Sequence, residues 1–370
     1  MGAGPVGASL ARALPDMAVA LVGAPFSSGA PEGFDPRVYA LSPGNVDFLR
    51  RLGVWDTLPA ERLAPVHAMR VYGDDARSSL EFNAYEAGAP ELAWIVEDAA
   101  LQRALSTDLQ PVAAQCERLQ VDERAVRLML VGGDTVEARL VVGADGAGSF
   151  VRRAAGIAAA ERDYGQTALV ANFRCEKPHR NTAYQWFQGG AVLALLPLPG
   201  EHVSMVWSLP TQEAERRRAL QAQALADEVT QASKAALGTL ALASEVRSFA
   251  LRRLRAARLA APRVALVGDA GHVIHPLAGQ GLNLGLQDAR ALAQVISHRE
   301  PDRDPGDERL LRRYERQRAE PILAMDAVVS GLFALYSAKS GWLGRLRNAG
   351  LNLTDRLPVL KNILMQQAMS

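Results

Sequence analysis

Residues 263–288 read RVALVGDAGHVIHPLAGQGLNLGLQD, and the way this run divides decides the fold. Val264–Val267 is an unbroken apolar run of strand length, as expected of a strand covered on both faces. Gly268-Asp269 ends it, a loop follows, and Gly279-Gln280-Gly281 opens a helix. Such a strand–loop–helix unit makes one wall of a ligand crevice. Asp269, held at a strand end, can hydrogen-bond a polyol hydroxyl. The free N–H groups of Gly281, Leu282 and Asn283 at a helix N-terminus can stabilise negative charge on a ligand ring. His272 and His275 are spaced i,i+3, but no third ligand follows at metal-binding spacing, so no metal is assigned.

Working outward, two more stretches point to the same chemistry. Gly2-Ala3-Gly4-Pro5-Val6-Gly7 matches GxGxxG and runs into a helix over Val6 to Leu14. In a dinucleotide-binding turn, Gly2 permits the tight bend, Gly4 lets backbone approach a pyrophosphate, and Gly7 lets the helix pack on the sheet. The strand that should precede this turn is missing. That omission reads either as a start placed downstream of the natural one or as a chain that holds its cofactor weakly. The next strand, Met17 to Val22, ends at Gly23, where an acidic residue normally accepts from a ribose. Further on, Arg139–Val142 runs into Gly143-Ala144-Asp145-Gly146, then Ser149, Val151 and Arg152. On its own this is either a cofactor motif or a plain turn. A reduced flavin carries negative charge at N1 and C2=O, so the helix start at Gly281 suits an isoalloxazine ring.

The remainder of the chain frames these motifs. Its 370 residues are 49% hydrophobic and 22% charged with net charge +1, which favours no nucleic-acid partner. From Glu308 to Ser370, ten Lys/Arg stand against five Asp/Glu, a basic end that reads as a solvated helical face or as peripheral membrane contact. Cys116 and Cys175 form no CxxC, and a reducing cytoplasm fits. Strands are expected over Arg70–Phe82, Glu91–Val96, 119–130, 137–142, in three runs between 164 and 208, and over 245–250. Helices are expected over 44–52, 97–108, 211–238 and 281–297, with mostly helix over 308–370. The fold class is therefore α/β: a Rossmann-like cofactor domain with an inserted β-rich substrate domain and a helical C-terminus. The cofactor domain is discontinuous, over 1–69, 97–163 and 251–307. The β-rich domain takes 70–96 with 164–250, and a helical segment takes 308–370.

The motif set GxGxxG, GADG with Ser149 and Val151-Arg152, and VGDA–H–HPLAGQGLNLG–D resembles that of flavoprotein aromatic hydroxylases of the p-hydroxybenzoate hydroxylase fold. Within that fold the chain is similar to the ubiquinone-biosynthesis hydroxylases (UbiH, UbiF and UbiI). FDPRVYALSPGNVDFLRRLGVW at 34–55, IVEDAALQRAL at 95–105, LRRYERQR at 311–318 and the tail at 350–369 carry the likeness along the whole chain.

The resemblance implies FAD as cofactor and NAD(P)H as a transient reductant. It implies hydroxylation of a polyprenyl phenol by O2 through a flavin C4a-hydroperoxide. By it, Arg37 lies near the flavin ring and Gln102 beside the ribityl chain, Asp145 and Arg152 serve the shared FAD/NAD(P)H motif, and Asp269 with Gly268 binds the ribityl hydroxyls. Pro276 stands over the flavin, and Gly279, Gln280, Gly281, Leu282 and Asn283 cradle its pyrimidine end. Tyr184, Trp186, Leu195 and Trp207 of the β-rich insert are the expected substrate wall; the plainer reading makes such residues the insert's core. A ubiquinone-synthesis complex and the inner face of the membrane are the expected surroundings. Two rivals stand beside this reading: another FAD enzyme of the same fold, and a flavin-poor scaffold subunit of such a complex. A flavin halogenase would carry a Trp-x-Trp pair, and no two tryptophans here are so spaced.

Overall fold

The computed structural model describes residues 1–26, 33–73, 79–275 and 280–337, the last few, 332–337, as backbone alone. The fold is α/β, as the sequence implies. Val264–Leu266 runs parallel to Val141–Gly143, with Ala260–Ala261 antiparallel on its other side. Helices Pro5–Arg12 and Gly281–Ser297 pack against one another beside this small sheet. Gly285 allows that approach, since a Cβ on it would come 2.6 Å from Val6, while Gly7 fits its helix under the preceding turn, where a Cβ would come 2.0 Å from the Gly2 carbonyl oxygen.

Met1 and Gly2 are paired on both sides. The Met1 carbonyl accepts from Ala144 N at 2.7 Å, and Gly2 N donates to Val22 O at 2.7 Å. Ahead of them lies a trench of about 960 Å³ lined by Leu10, Leu14, Val19, Leu21, Leu140 and Val142, among others. This trench corrects the strand expected over Met17 to Val22. Only Val22 forms a bridge, with Val112, and the residues before it lie in no ladder, because no backbone occupies the space between them and Leu140–Val142. An apolar strand of about five residues fused ahead of Met1 is expected to enter the trench. Burial and ladder bonds outweigh its ordering by about 2 kcal/mol, so the thermal midpoint rises by several degrees. An unchanged midpoint on calorimetry would show that the trench takes no strand.

A nine-stranded sheet dominates the rest of the chain. In order it holds His272–Val273, Arg247–Ala256, Ala159–Cys175, His202–Pro210, Ala191–Leu198, Thr182–Gln188, Ala68–Tyr72 and Ser79–Asn83, with Leu240–Leu242 also paired to Ala159–Cys175. One face is covered by helices Thr211–Arg218 and Ala222–Ala232, where the sequence reads as a single helix. The chain turns at Ala219–Gln221, and Leu220 is folded onto the same core. A sheet of Val38–Leu41, Ala93–Glu97 and Ala64–Val66 packs against the large sheet and helix Gly281–Ser297, and the hairpin strands Cys116–Val121, Val126–Leu130 and Thr135–Ala138 form a separate sheet. Helix Glu308–Ser337 closes the described fold; the helical tail expected beyond it lies outside the described residues.

Candidate functional site

Between the small sheet and the open face of the large one lies a crevice of about 770 Å³. Gly4, Val6, Ala144, Gly146, Asp269, Gly281 and Leu282 line one end, and Met69, Phe82, Val170, Ala183, Gln185 and Val206 line the other. The volume is within the range of small-molecule sites, about 300–1,000 Å³. The glycine turn, the Gly146 turn and the Asp269 turn, more than a hundred residues apart in places, thus meet at one end of one crevice.

Each turn is held by its own chemistry. Gly2 has φ +99°, and a Cβ there would come 2.2 Å from the Ala144 carbonyl oxygen. Gly4 is exposed, and a Cβ on it meets no atom within 4 Å. Bare backbone therefore faces the crevice where a pyrophosphate would lie. Gly23 stands where a ribose-binding acid was expected, and a Cβ there would come 2.9 Å from Ala3 N.

Asp269 follows Gly268, which is buried with φ +59°. The carboxyl faces the open crevice, and the protein packed around it raises its pKa, although His272, Arg37 and Arg252 pull the other way. Arg37 lies at the crevice wall with its guanidinium 3.7 Å from Asp98 and over the rings of Tyr39 and Phe249. Burial works against its charge, but Tyr39, Asp98, Asp269 and Asp35 outweigh it and raise its pKa. The loop that carries Arg37 is pinned by Asp35, whose carboxylate accepts from Arg37 N and Ala99 N.

Other expected residues act at one remove. Gly281 begins its helix, so the N–H groups of Gly281, Leu282 and Asn283 have no partner within it. The Asn283 side chain is turned away: it accepts from Ser42 N and Asn45 and donates to Ala40 O and the Gln280 side chain, joining two elements beside the crevice. Gln280 itself lines the crevice. Asp145 accepts from Ser149 Oγ and from Phe150 and Val151 N, capping the short helix Phe150–Ala154. Arg152 is buried and donates to Ala147 O and Ala270 O. Neither lines the crevice; together they fix the turn whose Gly146 and Ala147 do. Gln102 is half-buried on helix Asp98–Ser106 and is not among the lining side chains. Pro276 and Gly279 lie outside the described residues.

The expected substrate wall needs correction. Tyr184, Trp186, Leu195 and Trp207 lie on the opposite face of the large sheet, buried under the two helices with Leu169, Met205 and Leu225. Side chains alternate across a strand, so the crevice is faced by their neighbours Ala183, Gln185, Ala194, Val206 and Ser208. Bulky side chains fill the helix-covered face, and small ones leave room on the other.

One set of contacts was not read from the sequence, although His272, Asp288 and Arg318 stand in its motifs. Asp288, fully buried, has Oδ2 2.6 Å from His272 Nε2 and accepts from Gly268 N at 2.9 Å, while its Oδ1 accepts from Arg318 Nε at 2.6 Å. Burial opposes its charge, but His272 and Arg318 hold the carboxyl below its ordinary range. The residues on both sides of Asp269 are thereby clamped to helix Glu308–Ser337, whose Tyr314 hydroxyl donates to Leu266 O at 2.7 Å.

His275 is buried edge-on to Tyr164, 3.1 Å from Gln166 Oε1, and burial pulls its pKa down to about 4. The folded ring stays neutral while the unfolded one takes up a proton below about pH 6.5, so stability falls as pH drops from there towards 4. Relative to His275→Gln, the parent is expected to lose about 2 kcal/mol on going from pH 7 to pH 5. Parallel pH profiles in urea unfolding would remove this histidine from the account. Among the described residues no cluster of metal-ligating side chains occurs and no helix is long and apolar enough to cross a membrane.

Comparison with known proteins agrees with this geometry. A family model described as an FAD binding domain matches residues 1–327. The ubiquinone hydroxylase UbiL of Rhodospirillum rubrum is 34% identical over 380 residues, covering 100% of this chain and 88% of the relative. The 3-demethoxyubiquinol 3-hydroxylase of Escherichia coli strain K12 is 31% identical over 381 residues, covering 100% of this chain and 97% of the relative. The crystal structure of P. aeruginosa PqsL in complex with 2-aminobenzoylacetate superposes with a TM-score of 0.75 at 26% identity, covering 95% of this chain and 98% of that one. The bare backbone at Gly4, the carboxylate of Asp269 and the free N–H groups at Gly281 fit the pyrophosphate, polyol and ring of a flavin dinucleotide. The chain belongs to the FAD-binding-domain family of flavoprotein monooxygenases, and its cofactor is FAD.

Proposed function

We propose that the protein hydroxylates the aromatic ring of a polyprenyl phenol in ubiquinone biosynthesis, using NAD(P)H and O2. The observation that carries this reading is a single crevice joining a flavin-binding end to an apolar sheet wall. The names of the UbiL and Escherichia coli relatives supply the pathway. Bound FAD supplies electron transfer from NAD(P)H and delivery of one oxygen atom from O2 to the ring.

The chain's own residues bind, orient and keep water out. Gly2, Gly4 and Gly7 shape the pyrophosphate turn. Asp269 accepts from the ribityl hydroxyls, held in place by Gly268. The N–H groups of Gly281, Leu282 and Asn283 favour negative charge on the pyrimidine end. Arg37 keeps its positive charge at the wall, and Gln280 closes the same end. The aliphatic wall of Val170, Ala194 and Val206 dries the space in which the ring lies. The division into a discontinuous cofactor domain (1–69, 97–163, 251–307), a β-rich substrate domain and a C-terminal segment belongs to the same proposal. So does contact of the basic C-terminal end with an anionic membrane surface, from which a lipid-soluble phenol is drawn.

A strain deleted for this gene is expected to accumulate a prenylated quinone precursor lacking one ring hydroxyl, and a plasmid copy should restore the quinone. A normal quinone profile in the deletion strain would overturn the reading.

A further inference from the structure

We infer that Gln185, assisted by Ser208, is the polar anchor of the aromatic ring in this crevice, and that the ring it selects is neutral and oxygen-substituted. The inference rests on the reading that the crevice takes a phenol. Paired positions run Gln185, Ala194, Val206 and Val170 across neighbouring strands, with Val192, Ser208 and Ala168 in the next row. All of these line the crevice, and every one but Gln185 and Ser208 is aliphatic.

Gln185 is 6% exposed and Ser208 3%, yet neither side chain hydrogen-bonds a described residue. Buried amides and hydroxyls in folded proteins are almost always paired with protein, water or ligand. A primary amide aimed into a ligand crevice therefore waits for a partner that enters with the ligand. Strands about 4.8 Å apart and a two-residue repeat of about 6.8 Å put Gln185 and Ser208 roughly 12 Å apart across the wall. Ala194 and Val206 lie between them and give a flat ring a smooth floor.

The chemistry of the pair selects the ring. A glutamine amide offers both a donor and an acceptor, and a serine hydroxyl offers the same. Either can take a phenol O–H or an ether or quinone oxygen. Neither carries charge. Among the described residues, the charged side chains that line the crevice are Arg37, Arg252 and Asp269. Arg37 and Asp269 lie towards the flavin end, and Arg252 is on the strand Arg247–Ala256, four strands from Gln185. A ring carboxylate beside Gln185 would be buried without a counter-charge, so benzoates are disfavoured and neutral phenols accepted.

The test uses the FAD-loaded full chain with 2-prenylphenol and 4-hydroxybenzoate as probes, followed by the change in flavin absorbance on titration. Gln185→Met keeps length and apolar volume but removes both hydrogen-bonding groups. It is expected to bind 2-prenylphenol at least tenfold more weakly, with thermal midpoint and FAD content unchanged or higher. Ser208→Ala should weaken the same probe to a smaller extent, and 4-hydroxybenzoate should bind the parent at least tenfold more weakly than 2-prenylphenol. Unchanged affinity in Gln185→Met would overturn the anchor, as would a fall in midpoint at unchanged affinity, which marks a packing residue only. If Gln185→Met does not fold, Gln185→Leu serves with the same two outcomes. Failure of the underlying reading looks different: the parent itself would then show no flavin change with 2-prenylphenol.

Discussion

Asp288→Ala is expected to destabilise the folded chain by about 3–5 kcal/mol, the range for removing one partner of a buried ion pair. The substitution leaves Arg318 buried with its Nε unpaired and leaves Gly268 N without its acceptor. It also frees His272, so both flanks of Asp269 lose their anchor to the C-terminal helix. Two readouts follow: a lower urea midpoint, and loss of FAD during gel filtration even where the chain remains folded. Asp288→Asn keeps the shape without the charge and should show the same direction with a smaller effect. A midpoint and FAD content equal to the parent's would show that the clamp contributes nothing.

The second large effect is on the cofactor itself. Asp269→Ala removes a charge-assisted acceptor from the flavin end of the crevice, and such bonds contribute about 1.5–3 kcal/mol. FAD affinity should fall by about 10- to 100-fold. Because Asp269 is exposed at the crevice and hydrogen-bonds no described residue, the thermal midpoint of the FAD-free protein should hardly move. That split separates a ligand contact from a structural residue. Retention of FAD under dialysis equal to the parent's would remove Asp269 from the site.

The parts of this molecule that were legible in the sequence are those where chemistry and local geometry coincide. The run from Val264 to Asp288 could be read because an apolar strand, a Gly-Asp stop and a glycine-led helix are each local features, and the helix begins at Gly281 as expected. The strand over Met17 to Val22 failed because strands need partners, and the space beside it holds no backbone.

The substrate wall failed for a different reason. Alternation tells which side chains share a face, but not which face the helices cover, and the aromatic set went under the helices. Asp288 and Arg318 pair across 30 residues, so no spacing rule joins them. A signal was nevertheless present. Leu284, Asp288 and Leu292 recur every fourth residue along one stripe of a helix, and a carboxylate in an apolar stripe calls for a buried partner.

The central claim is that one crevice brings an aromatic ring to FAD so that oxygen is delivered to it. The most direct measurement supplies the FAD-loaded protein with NAD(P)H, 2-prenylphenol and ¹⁸O₂ and weighs the product. The account predicts a ring-hydroxylated phenol carrying one ¹⁸O atom, in step with NAD(P)H consumed and lost in Asp269→Ala at limiting FAD. Consumption of NAD(P)H with no labelled phenol, or product carrying oxygen from water, would contradict it.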